Sequence, residues 1–161
     1  MTADAPKFPA VAAMLASLSS TDQSMREAYL AGHGPWDDGS DLRGAEALRR
    51  IVDDIGWPTI SKVGQAGADA AWLLAQHADN DLAFQKRCLA LMRACPPDEV
   101  SPEHAAYLED RVAVSEGRPQ SFGTQFKKFP DGTMQPCPIL DLASLDARRK
   151  AVGMEPWRPW G

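Results

Sequence analysis

Apolar residues recurring at helical spacing, cut at intervals by glycine or proline, constrain this chain more than any other feature. A stripe at i, i+3, i+4, i+7 has one face to bury, so each such stretch must fold as an amphipathic helix packed against another. Val11, Met14, Leu15 and Leu18 form the first stripe, over residues 9–19. A second helix is expected over 21–31, capped by Thr21 or Asp22, and a third over 41–55 with Leu42, Ala45, Leu48, Val52 and Ile55 facing inward. Gly56 stops that helix, Trp57-Pro58 forces an extended step, and Gly64 ends a short helical turn over 59–63. Further helices are expected over 66–78, 82–95 and 102–116, the last opened by Ser101 as N-cap with Pro102 behind it. Residues 119–139 change character, with Phe122, Phe126, Phe129 and Ile139 around Pro130-Asp131-Gly132, which suggests a hairpin or an irregular loop. A final helix over 142–152 and an extended tail over 154–161, tacked down by Trp157 and Trp160, complete the pattern. The expected fold is mainly α: a single-domain helical bundle of about six to seven helices with a C-terminal β-hairpin or loop arm. A flexible leader over 1–8 precedes one globular domain over 9–161.

Composition narrows the function classes. The 161 residues are 44% apolar and 24% charged, enough for one sizeable core and inconsistent with wholesale disorder. Seventeen Lys and Arg against 22 Asp and Glu leave a net charge of −5, which offers no footprint for duplex nucleic acid. The N-terminus, Met1-Thr2-Ala3-Asp4, has no basic region of a secretory signal. The apolar run Ala10–Ala16 stops at Ser17, far short of the ~20 residues a bilayer span needs, so no membrane partner is expected. Cys88, Cys95 and Cys137 contain no CxxC, and His33, His77 and His104 show neither HExxH nor HxH spacing. Reduced thiols, a cytoplasmic setting, no metal and no other cofactor are the expectation. Cys88 lies on an apolar stripe and reads as core.

Three segments carry groups suited to chemistry. Gln76-His77-Ala78-Asp79-Asn80-Asp81, followed by Phe84-Gln85, puts His77 on the same helical stripe as Ala70, Leu73 and Leu74. An inward imidazole needs a partner for its ring N–H, and a carboxylate such as Asp79 would orient it as an acid or base. The plain alternative is a core histidine at a helix C-terminus, with the aspartates as caps. Tyr107 and Arg111 share a face of the helix after Ser101, with Asp110 beside Arg111, and Arg supplies a fork for a carboxylate or phosphate. Gly123-Thr124-Gln125 offers a hydroxyl and an amide next to a residue that lets backbone approach a ligand. Arg26 and His33 also fit the loose spacing of helical endoribonucleases, a pattern common by chance and at odds with the acidic charge.

Taken in order, several motifs resemble a family of uncharacterised bacterial proteins, DUF6624, over about residues 14–156. They are Asp22-Gln23-x-x-Arg26, Gly56-Trp57-Pro58-Thr59, Ala71-Trp72-Leu73-Leu74 running into Gln76-His77-Ala78-Asp79, Phe84-Gln85, Tyr107-Leu108-x-Asp110-Arg111, Gly123-Thr124-Gln125 and Asp146-x-Arg148-Arg149. The resemblance implies no activity. It does imply that Gln76, His77, Asp79, Asp110, Arg111, Thr124 and Gln125 belong to shared motifs, and polar groups from separate segments suit one converging pocket. The resulting expectation is a small, metal-independent, cytosolic enzyme of hydrolase or lyase/cyclase type acting on a small polar or anionic molecule. His77 would be its acid/base and Asp79 the orienting group. Gln76, Gln85, Tyr107, Asp110, Arg111, Thr124 and Gln125 would contact the substrate. The alternative is a non-catalytic accessory protein holding a peptide or metabolite in the same pocket.

Overall fold

The computed structural model describes residues 5–159. Residues 1–4 of the expected leader, and Trp160 and Gly161 of the expected tail, lie outside the described residues. The chain divides after Val100 into two compact units, each described by itself. Among the described residues there are six α-helices, one 3-10 turn and one two-stranded antiparallel hairpin, so the protein is mainly α as the periodicity requires.

The first unit holds α1 (Pro9–Leu30), α2 (Asp38–Ile55), α3 (Ile60–Gln76) and α4 (Leu82–Arg93). Pro9 opens α1 at a position where a missing N–H and a fixed φ cost nothing. The chain then stays helical for 22 residues, where the sequence suggests two helices with Thr21 or Asp22 capping the second. Asp22 does not cap. It is 3% exposed on the face that also carries Leu15, and its carboxylate is held by other side chains, so it does not compete for the backbone. Asp37 and Asp81 do cap, accepting from the amides of Gly39 and Phe84 at 2.9 Å each.

Glycines let the helices approach. A Cβ on Gly67 of α3 would meet Val63 at 2.8 Å and the Ala12 backbone of α1 at 3.7 Å. Gly64, at φ +74°, kinks α3 where the sequence places a stop. Leu15, Leu48, Val52, Ala71, Leu74, Cys88 and Met92 are buried, and each leucine among them contributes about 1.5–3 kcal/mol by leaving water. Met14 and Leu42, expected on the inner stripes, are instead half exposed, because they lie at the margins of their apolar faces. At the start of the described chain, Lys7 and Phe8 donate to the carbonyls of Ser61 and Lys62.

The second unit holds α5 (Pro102–Ser115), β1 (Phe126–Lys128), β2 (Met134–Pro136), a 3-10 turn at Leu142–Ser144 and α6 (Leu145–Ala151). Ser101 caps α5 by accepting from the His104 amide at 3.3 Å. The strands pair as Phe126 with Pro136 and Lys128 with Met134, which resolves the arm as a hairpin. Ala106, Phe122 and Met154 form a small core, with Tyr107 and Val152 packed against it. No described helix is long and apolar enough to cross a membrane.

Candidate functional site

His77 stands at the end of α3, with φ −89° and ψ 0°, just past the last helical residue. A helix leaves its final carbonyls without internal donors. The Gln85 side chain of α4 supplies one: its Nε2 lies 3.2 Å from the Ala75 carbonyl, 3.3 Å from the Gln76 carbonyl and 3.2 Å from Asp79 Oδ1. Gln85 is 0% exposed, and so acts as a buried clasp on the turn that presents His77. Gln76 is also buried, whereas Asp79 is exposed.

The imidazole reaches back to α1. His77 Nδ1 lies 2.9 Å from Asp22 Oδ2, with side-chain exposures of 15% and 4%. Because a carboxylate only accepts, this contact places the proton on Nδ1 and, in the neutral ring, leaves a lone pair on Nε2. Asp22 is further held by Arg26 Nε at 3.2 Å, one helical turn along, and by Gln23 Nε2 at 3.1 Å. The same guanidinium reaches Asp41 of α2 at 2.5 Å and lies 4.9 Å from the Trp36 ring centroid. Trp36 in turn meets Tyr29 edge-on at 5.2 Å.

Burial raises the Asp41 carboxyl above its ordinary value, and the neighbouring charges of Asp22 and Asp79 act in the same direction, against Arg26. One ligand atom each from Asp22, Asp41 and His77 falls within 4.8 Å of the others, a grouping of hard-oxygen and imidazole donors that could hold a metal ion. Beside Asp41 opens a cavity of about 140 Å³ whose wall includes Ala45, Glu46, Arg49, Ala78 and Asp81.

In the second unit, Asp110 of α5 is 0% exposed and gathers the loop that follows. It accepts from the amides of Ser121 at 2.7 Å, Phe122 at 3.0 Å and Thr124 at 3.0 Å, and from the Thr124 hydroxyl at 2.9 Å. Burial raises this carboxyl while the four donors act to lower it. Gln125 continues the network, donating to Thr124 Oγ1 at 3.0 Å and accepting from Arg111 at 3.3 Å. Buried Gln120 accepts from the Gln125 amide at 2.8 Å. From α6, Arg148 donates to the Ser121 carbonyl at 2.7 Å and Arg149 to that of Phe122 at 2.6 Å. Gly123, at φ +70°, offers its carbonyl to Trp157 Nε1 at 3.1 Å.

The candidates therefore form two sets. Gln76, His77, Asp79 and Gln85 belong to the first unit, and Tyr107, Asp110, Arg111, Thr124 and Gln125 to the second. Asp110 and Thr124 hold each other and their loop, Gln125 links Arg111 to Thr124, and Tyr107 packs against the small core. Sequence reasoning missed Asp22 as the partner of His77, and missed Asp41 altogether. The signal for Asp22 was present: it follows Leu15 by two helical turns and precedes Arg26 by one.

Fold and site together define a small, mainly helical protein in whose first unit a part-buried carboxylate–imidazole pair joins α1 to the end of α3. The chain belongs to a family of unknown function, DUF6624, whose pattern matches residues 12–160. Comparison with curated proteins and with solved structures returns no match.

Proposed function

We propose that the protein is an enzyme in which the His77–Asp22 pair moves a proton during hydrolysis, elimination or cyclisation of a small polar molecule. The observation that supports this reading is the 2.9 Å contact between His77 Nδ1 and Asp22 Oδ2. A buried carboxylate that holds the tautomer and stabilises the imidazolium is the usual arrangement for a histidine base. Asp22, rather than Asp79, takes the orienting role here, and Gln85 sets the backbone from which His77 projects. A cytoplasmic setting fits three free thiols. A panel of small esters, amides and lactams tests the reading. Turnover lost in His77→Gln at unchanged Tm supports it; turnover retained in that variant overturns it. Saturable ligand binding without conversion would instead favour an accessory binding protein.

A second reading rests on the grouping of Asp22, Asp41 and His77. A divalent ion there would polarise a substrate oxygen or activate water, and Arg26 would have to release both carboxylates to admit it. Manganese binding followed by electron paramagnetic resonance, lost in His77→Gln, would establish that reading, and no binding at millimolar ion would remove it.

A further inference from the structure

The carboxamide of Gln85 can sit only one way round. Its Nε2 faces the carbonyls of Ala75 and Gln76 and Oδ1 of Asp79, at 3.2, 3.3 and 3.2 Å, three oxygens that accept and do not donate. A flipped amide would set oxygen against all three. Oε1 is therefore turned away from them, and it meets no donor among the described residues. The side chain is 0% exposed, so bulk solvent does not serve that oxygen either. Folded proteins rarely keep a buried acceptor in this condition, because its lost hydration is not repaid.

The surroundings restrict what can donate to it. Ala75, Ala78 and Cys88, on the adjoining turn and one turn along α4, are buried and small, and they suit a small partner. Asp79, the carboxylate bonded to Gln85, lies on the Nε2 side and is exposed, so a cation buried at Oε1 would lack a counter-charge in contact with the amide. Gln76 Oε1 is buried too, on the residue whose carbonyl Gln85 already holds, and the Trp72 indole N–H is buried one helical turn earlier on the same face of α3.

We infer that Gln85 Oε1 binds one internal water, which donates one proton to it and the other to Gln76 Oε1, and so ties α4 to the end of α3. An amide oxygen has two lone pairs, so Gln76 can accept this proton beside any other. The water keeps its own lone pairs for an N–H such as that of Trp72, within the two to four polar partners an internal water takes. The site is structural, stands apart from the proton-transfer reading and needs no turnover.

Water–protein Overhauser spectra of the nitrogen-15-labelled full chain test it. Cross-peaks from water to the Gln85 side-chain amide protons are expected, of opposite sign in the laboratory and rotating frames, as for a water held longer than the protein takes to tumble. The rotating-frame sign separates this contact from proton exchange. Exchange-type peaks alone, or no peaks, at that amide overturn the inference. Oxygen-17 relaxation dispersion supplies a second readout: Gln85→Met should lower its amplitude by the step of one water, whereas Arg87→Gln, on the exposed side of α4, should not. An unchanged amplitude in folded Gln85→Met also overturns it. Where that variant does not fold, the spectra of the wild type decide alone.

Discussion

The Asp22 carboxylate and the His77 imidazole meet at 2.9 Å although 55 positions of chain separate them. Neither residue reaches the other through its own element: α1 must run unbroken past Asp22, and α3 must end at Gln76. Asp22→Asn tests the consequence. The amide can donate to the ring as well as accept from it, so the Nδ1-protonated tautomer loses its preference. Nitrogen-15 spectra of the imidazole should show that tautomer alone in the wild type and a mixture in the variant. Turnover should fall by about 10²–10⁴ if His77 is the base.

Gln85→Leu keeps the volume of the clasp and removes its donor. Two end-of-helix carbonyls and Asp79 then lose a hydrogen bond, which should cost about 2–3 kcal/mol. Urea unfolding measures the loss. Hydrogen exchange should place its earliest opening at the end of α3.

The Asp41 carboxyl is raised in the folded protein, so the folded state holds that proton more firmly than the unfolded chain does. Its contribution to stability is therefore present below the ordinary value of 3.8 and disappears as pH rises through the raised value. Asp41→Asn removes this dependence. The stability of the variant relative to the wild type should climb as pH rises above 3.8 and then level off, as read from denaturant curves at stepped pH.

Burial pushes the Cys88 thiol up to about 12, and the side chain is 0% exposed. Iodoacetamide at pH 8 should leave Cys88 untouched in the native protein and modify it in urea, since only the thiolate reacts. Peptide mapping by mass spectrometry distinguishes it from Cys95 and Cys137.

A Cβ on Gly123 would lie 2.5 Å from Trp157 Nε1, on a backbone with φ +70°. Gly123→Ala therefore strains the loop and displaces the indole from its carbonyl partner. A cost of about 2 kcal/mol or more corresponds to a fall in Tm of roughly 4–8 °C for a chain of this size. Scanning calorimetry provides the check.

Most helices were legible because their signals are local. The Ser101 cap, the Gly56 stop, the Gly64 break that the structure shows as a kink, and the stripe through Ala70 and Leu74 all act within a few residues. The continuity of α1 was not, since an aspartate after Ser-Ser-Thr reads as a cap unless its distant partners are known. His77 could be found from its stripe, whereas Asp22 and Asp41 required tertiary structure to reveal what they face. Asp110 shows the other limit: its partners are chiefly backbone amides, which leave no mark in side-chain identity.

The loop from Ser121 to Thr124 is gripped on opposite polarities by helices at either end of its unit. Its amides answer to Asp110, made earlier, and two of its carbonyls to Arg148 and Arg149, made later. The donors and the acceptors of this loop are therefore satisfied from two different helices, and a substitution at Asp110 or at Arg148 orphans groups of one polarity only.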